Sequence, residues 1–226
     1  MSEGTLTVTG RLVDASNATL YGTVVDGEEE IRVIYKPIAG ERPLWDFPDG
    51  NLAQREYAAF LISEIGNWNL VPLTILRDGP FGMGMVQQWI DIDESVDLAL
   101  FYREDHASLR AMALFDAVVN NTDRKIGHLI PSPDGKLYGC DHGVTFHEED
   151  KLRTVLWQWA SANLSKQELE QLQQLRISLV TEEELFTSLI SALEYQALLS
   201  RVDRLLNAKT FPEPSDEWPA VPWPPF

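Results

Sequence analysis

Residues 120–143 read NNTDRKIGHLIPSPDGKLYGCDHG, and the order of charged and turn-forming residues within them decides the fold. Just before them, LRAMALFDAVV spaces Leu109, Met112, Phe115 and Val119 along one helical face. The helix empties into a polar loop in which Asp123 can accept or orient a hydroxyl proton. Arg124 stands beside it for charge balance, and His128 lies five residues beyond Asp123. A short hairpin turning at Asp134-Gly135 follows. It delivers Asp141 at the end of a strand, with Gly143 allowing a sharp backbone turn. A carboxylate placed there suits Mg²⁺, which takes few protein ligands and bridges phosphate oxygens.

Upstream, the chain reads as strands. LTVTGRLV alternates apolar and polar residues, the small residues Ala15-Ser16-Asn17-Ala18-Thr19 break the pattern, and LYGTVV and IRVIYKP follow as a hairpin about Asp26-Gly27. A Pro/Gly-rich loop over 37–50 leads into LAQREYAAFLISEIG, which places Leu52, Tyr57, Phe60, Leu61 and Ile65 near helical spacing and ends at Gly66. LVPLTILRDG and FGMGMVQQWI add two strands. An acidic connection over 91–107 marks the boundary between two lobes. Residues 1–100 form a sheet with one helix and a hinge near 86–91, and residues 101–210 are mainly helical. From about Thr154 to Asn207 the pattern is helical, with Trp157 and Trp159 on a helix and a cap signal at Asn163-Leu164-Ser165. The tail, 211–226, holds six prolines with Trp218 and Trp223 and reads as extended, able to dock on the domain. The fold class is α+β, with an antiparallel-sheet N-lobe and a mainly helical C-lobe.

Composition narrows the function. A net charge of −17 repels nucleic acid and anionic lipid head groups, and the longest basic cluster is only Arg124-Lys125. Nucleic acid is therefore not expected as a partner. The single cysteine, Cys140, forms no internal disulfide and reads as a buried core thiol. No apolar run approaches the ~20 residues that span a bilayer, and a cytoplasmic location follows as the default.

Two further residues join the loop and hairpin. Lys36 closes the apolar strand VIYKP, where its ammonium can point at nucleotide phosphates, and Glu56 lies 20 residues on in the next helix. Singly, Lys36 reads as an edge lysine and Glu56 as a surface glutamate. In order with Asp123 and Asp141, they reproduce the sequence of parts of a kinase site, in which a helical glutamate holds the strand lysine.

NTDRKIGHLI and GCDHGVTF resemble the catalytic loop and metal-binding motif of the phosphatidylinositol 3-/4-kinase superfamily, nearest to the type II phosphatidylinositol 4-kinases and their bacterial relatives. VIYKP with REYAAFLISEIGNWNLVP resembles the same group's strand lysine and following helix, and LWQWA with a downstream LS the stretch after its activation segment. The resemblance runs from about residue 12 to 165. As a whole the chain is similar to an actinobacterial family of small kinase-like proteins within that superfamily. The resemblance implies a two-lobed protein-kinase-like fold and an ATP-dependent phosphotransferase using Mg²⁺. Lys36 would contact the α- and β-phosphates with Glu56 as its partner. Ser16, Asn17, Ala18 and Thr19 would cover the phosphates, and Gln87, Gln88 and Trp89 would form the hinge beside adenine. Asp123 would orient the acceptor hydroxyl and Asp141 would bind Mg²⁺.

Two departures stand out. The family usually has Asn where His128 stands as second metal ligand, and imidazole shifts preference toward Mn²⁺. The turn at Asn17 also lacks glycine. They keep open a nucleotide-binding pseudokinase that acts through partners. A third reading is a metal-dependent hydrolase built on His128, Asp141, His142 and His147. For the acceptor, HGVTFHEEDKLR offers no basic face for lipid, so membrane association is disfavoured. A soluble small molecule or a protein hydroxyl is expected.

Overall fold

The computed structural model describes residues 1–12, 17–47 and 50–226. Strands β1 (Thr5–Arg11), β2 (Leu20–Asp26) and β3 (Glu29–Pro37) form the expected meander. Helix α1 (Leu52–Ile65) then leads to β4 (Thr74–Gly79) and β5 (Gly82–Gln88). The five strands make one antiparallel sheet in the order β1-β2-β3-β5-β4. Successive side chains on a strand face opposite ways, so Val33 and Tyr35 are fully buried in the sheet's own core while Ile34 and Lys36 face the other side. Because β5 lies against β3, Lys36 is paired with Met85, three residues before β5 ends at Gln88.

Helix α1 starts where Asn51 Oδ1 accepts from the Gln54 N–H at 2.8 Å and the Glu41 carboxylate accepts from the N–H groups of Leu52 and Ala53, each at 2.9 Å. Its buried face differs from the one read in the sequence. Ala53, Ala58, Ala59 and Ile62 take the innermost positions together with Glu56, while Tyr57, Phe60, Leu61 and Ile65 pack along the flank. Small side chains let the helix back approach its neighbours closely, and this buries the glutamate between them.

Beyond the sheet come α2 (Leu98–Phe101), a single turn within the expected connection, and α3 (Ala107–Val119). The latter buries residues on all sides and forms the axis of the larger core. The hairpin of β6 (Leu129–Pro131) and β7 (Leu137–Gly139) follows, then α4 (Lys166–Thr181), α5 (Glu183–Thr187) and α6 (Ala192–Ala208). Ser165–Glu168 and Ser191–Glu194 close reciprocal capping boxes at the starts of α4 and α6.

The expectation of helix from Thr154 onward is corrected: helix begins only at Lys166. Residues 154–165 instead spend their backbone on distant partners, with Thr154 bridged to Arg124 and Asn163 to Thr210. Trp157 and Trp159 therefore sit in an irregular segment, their indole N–H groups donating to the Ala220 carbonyl at 2.8 Å and to Asp105 at 3.1 Å. The tail docks as an extended strap, its Ala220 and Pro225 carbonyls also accepting from the N–H groups of Thr154 and Ile126. Among the described residues no helix is long and apolar enough to cross a membrane.

Gly84 permits the close approach of β5 to the end of β3. A Cβ there would stand 2.5 Å from the Lys36 carbonyl oxygen and 2.7 Å from the Pro37 Cα. Gly84→Ala is expected to destabilise the protein by about 1–3 kcal/mol. Urea unfolding of the pure variant checks this, and an unchanged midpoint would show that β3 yields freely.

Candidate active site

The alternation that turns Lys36 out of the sheet core and the packing that buries Glu56 bring the two side chains together. Lys36 Nζ donates to Glu56 Oε1 at 2.6 Å and to Asp141 Oδ1 at 2.8 Å. Glu56 is buried, and its second oxygen accepts from the His142 N–H at 2.9 Å. One carboxylate thus fixes both the lysine and the backbone just after Asp141. Burial alone would depress Lys36, but Asp141 and Glu56 together hold its pKa well above the usual lysine range. The Lys36 ammonium in turn holds the half-exposed Asp141 carboxyl well below the carboxylate range. Asp141 itself adopts a left-handed backbone, φ 62°, a costly conformation for a residue with a side chain.

His128 Nε2 stands 3.5 Å from Asp141 Oδ2. Burial pushes its pKa down to about 4 despite the pull of Asp141, so the ring is neutral at pH 7, with Nδ1 accepting from the Lys125 N–H at 3.5 Å. Asp123 is partly exposed in the loop between α3 and the hairpin, and its N–H donates to Asn121 Oδ1 at 2.9 Å. Burial raises its pKa, opposed by Lys125, whose Nζ is 3.3 Å from Asp123 Oδ2.

Arg124 takes a different place from the one expected. It is fully buried, and its guanidinium forks onto Asp116 of α3, with Nη2 at 2.9 Å and Nε at 3.0 Å from the carboxylate oxygens. Nη1 donates to the Cys140 carbonyl at 3.2 Å, and Nη2 donates to His142 Nε2 at 2.7 Å. The reason is that Asp116 is itself buried and needs a cation, so the charge beside Asp123 comes from Lys125 instead. Cys140 is corrected too: it lies just past β7, half-buried on a cleft wall.

The cleft has a volume of about 520 Å³ and is walled by Lys36, Asp123, His128 and Asp141, with Gln87, Gln88 and Trp89 along another edge. The N–H groups of Gln88 and Trp89 are taken by the carbonyls of Leu73 and Arg32, at 2.8 and 2.9 Å. Gln87 donates its side-chain amide to Thr74 Oγ1 at 2.9 Å. Asn17 and Thr19 reach the cleft wall, while the Ala18 N–H is tied to the Gly40 carbonyl at 3.3 Å; Ser16 lies outside the described residues. Phe226 of the docked tail also borders the cleft, beside Gly127.

The four groups of the hydrolase reading are not gathered. The His142 ring is buried against Phe115 and Arg124, and His147 is bonded to Lys151 and the Glu149 N–H. Among the described residues no cluster of three or more His, Cys, Asp and Glu is placed to hold a metal. A larger cavity, about 640 Å³, lies by α6 and the tail and is bordered by none of the expected site residues. The residues that sequence reading passed over are Asp116, Asn120 and Asn121. Asn120 caps α3 with φ 52° and ties its side chain to the carbonyls of His147 and Glu149. A lone acid in an apolar helix and an Asn pair at its end were the available signals.

Among known proteins, Protein Rv2133c of Mycobacterium tuberculosis (strain ATCC 25618 / H37Rv) is 39% identical over 262 residues, with 100% of this chain and 94% of that protein covered. No protein-family model matches the chain. The crystal structure of the golgi casein kinase superposes with a TM-score of 0.52 at 12% identity, covering 92% of this chain and 72% of that one. The Helicobacter pylori proinflammatory kinase CtkA gives a TM-score of 0.48 at 9% identity, covering 93% and 94%. The fold is kinase-like, an antiparallel five-stranded sheet followed by helices.

The buried Asp116–Arg124 pair yields a prediction about stability. Asp116→Ala leaves a buried guanidinium without its counter-charge and is expected to cost about 3–5 kcal/mol. Chemical denaturation measures it. A loss below about 1 kcal/mol, the range of exposed pairs, would contradict the pair's structural role.

Proposed function

This chain belongs to the family of the mycobacterial Protein Rv2133c, and from that premise we propose that it is an ATP-dependent phosphotransferase of the phosphatidylinositol 3-/4-kinase-like type. The acceptor on this reading is a hydroxyl of a soluble small molecule or a protein. The observation that carries the proposal is the Lys36 ammonium held 2.6 Å from Glu56 and 2.8 Å from Asp141, on a cleft that Asp123 and His128 also border. Such an arrangement suits an enzyme that works by positioning and charge neutralisation.

In this reading residues 1–100 form the lobe over the nucleotide, 101–210 the lobe that carries the catalytic and metal motifs, and 211–226 the tail. The adenine end lies against Gln87, Gln88 and Trp89, and Asn17, Ala18 and Thr19 border the phosphates. Lys36 binds the α- and β-phosphates, which take the place of Asp141 at its ammonium, while Glu56 keeps the lysine aimed. The Asp141 carboxylate and the neutral His128 imidazole, 3.5 Å apart, would be the residues that hold a divalent cation beside the phosphates. Mg²⁺ or Mn²⁺, when bound, supplies charge neutralisation at the transferred phosphoryl group. Asp123 orients the acceptor hydroxyl and takes its proton. The new bond joins that oxygen to the γ-phosphorus as the bond to the β–γ bridging oxygen breaks and ADP leaves.

Lys36→Ala is expected to weaken ATP binding by roughly 10–100-fold, the worth of a hydrogen-bonded charge. Asp123→Asn should retain binding and lower transfer by about 10²–10⁴-fold. Thermal stabilisation by ATP and release of ADP, followed on the same samples, separate the two effects. Equal ATP affinity in wild type and Lys36→Ala would refute the first. His128→Asn should shift the metal that best supports ADP release from Mn²⁺ toward Mg²⁺. An unchanged metal profile would remove His128 from the metal site.

A further inference from the structure

A second cavity, about 280 Å³, shares Asn17, Asp123 and Asp141 with the nucleotide cleft. Its other walls include Arg42, Arg153, Asp46 and Phe47. Two arginines on one small cavity are notable in a chain of net charge −17. Arg32, Arg110, Arg124, Arg176 and Arg204 each hold a carboxylate. Among the described residues Arg42 and Arg153 do not, and the Nε of Arg153 is buried with no hydrogen-bond partner.

The backbone on both sides of this guanidinium is fixed. The Arg153 N–H donates to the Asn121 carbonyl at 2.9 Å, and its own carbonyl accepts from the Arg124 N–H at 3.1 Å. Arg42 is set by its N–H bond to Asn17 Oδ1, at 2.9 Å. The unpartnered Arg153 Nε and the exposed Arg42 guanidinium, on one cavity, match the oxygens of a phosphate or carboxylate, which guanidinium N–H groups bind in pairs.

Resting on the phosphotransferase reading above, we infer that this cavity is the acceptor subsite and that the acceptor is an alcohol bearing a phosphate or carboxylate group. The anion seats on Arg42 and Arg153. Repulsion from Asp123 keeps the anionic end away from that carboxylate, so the hydroxyl end is the one presented to it. Asp46 can accept a hydrogen bond from a further hydroxyl. The volume, about 280 Å³, lies just below the range of about 300–1,000 Å³ for ligand pockets and suits a small molecule. In the transfer step the acceptor oxygen bonds the γ-phosphorus, its proton goes to Asp123, and ADP departs.

The test uses the whole chain with saturating ADP and Mn²⁺ or Mg²⁺. Inorganic phosphate, glycerol 3-phosphate and glycerate are titrated against glycerol, with thermal midpoint as readout. Transfer from ATP is followed in parallel to the same alcohols and to phosphatidylinositol vesicles. The anionic compounds should stabilise and glycerol should not. Arg42→Gln and Arg153→Gln should each weaken the anion's effect about tenfold or more, with Arg153→Lys recovering part of it. ADP should stabilise these variants as it does wild type, which tells a lost subsite from a lost fold. Arginine-dependent transfer to vesicles alone would assign the anion to a lipid head group, and to soluble compounds alone, to a free metabolite. Equal response to glycerol, full anion affinity in the Arg42→Gln/Arg153→Gln double variant, or no anion effect with ADP bound would overturn the inference. A wild-type protein that ADP itself fails to stabilise would overturn the phosphotransferase reading beneath it.

Discussion

The Asp116–Arg124 ion pair is the constraint on which the arrangement of the larger lobe turns. Both side chains are fully buried, and each buried ion costs several kcal/mol of lost hydration. The carboxylate meets that cost with the Arg124 fork, the Asn121 amide at 3.0 Å and the Thr154 hydroxyl at 3.2 Å. The guanidinium adds the Cys140 carbonyl and His142. These partners come from the central helix, the loop after it, the stretch after β7 and the irregular segment at 154. Satisfying one pair of charges therefore fixes four pieces of chain relative to one another, including the pieces on either side of Asp123 and Asp141.

A second carboxylate does the same work across the cleft. Glu56 binds Lys36 from the sheet and the His142 N–H from the helical part, so the sheet and the two aspartates are positioned by one buried group. The two networks meet at His142. Its N–H is bound to Glu56 and its ring to Arg124, and Glu56 and Asp116 are thereby linked through a single residue. Rigidity of this kind is what a site needs when its chemistry depends on placement more than on covalent catalysis. The docked tail adds to it, with its carbonyls on Ile126 and Thr154 and the Trp218 ring under the Lys151 ammonium at 4.4 Å.

Local patterns were legible without a structure wherever short-range chemistry sets the conformation. Alternation in β2 and β3, the helix ending at Gly66, the Asp134-Gly135 turn and the Ser165 cap depend on neighbours a few residues away. The sequence by itself determined the sheet-then-helix architecture and the order Lys36, Glu56, Asp123, Asp141, because strand and helix periodicity and turn chemistry are written in adjacent residues. The tertiary structure alone decided which face of α1 is buried, that Arg124 turns inward and Lys125 faces Asp123, and that residues 154–165 form bridges in place of a helix. It also decided that Arg42 and Arg153 share one cavity. The physical reason is that burial and partner choice depend on contacts between distant parts of the chain, as for Lys36 and Asp141, 105 residues apart. No local preference encodes which buried charge will find which partner.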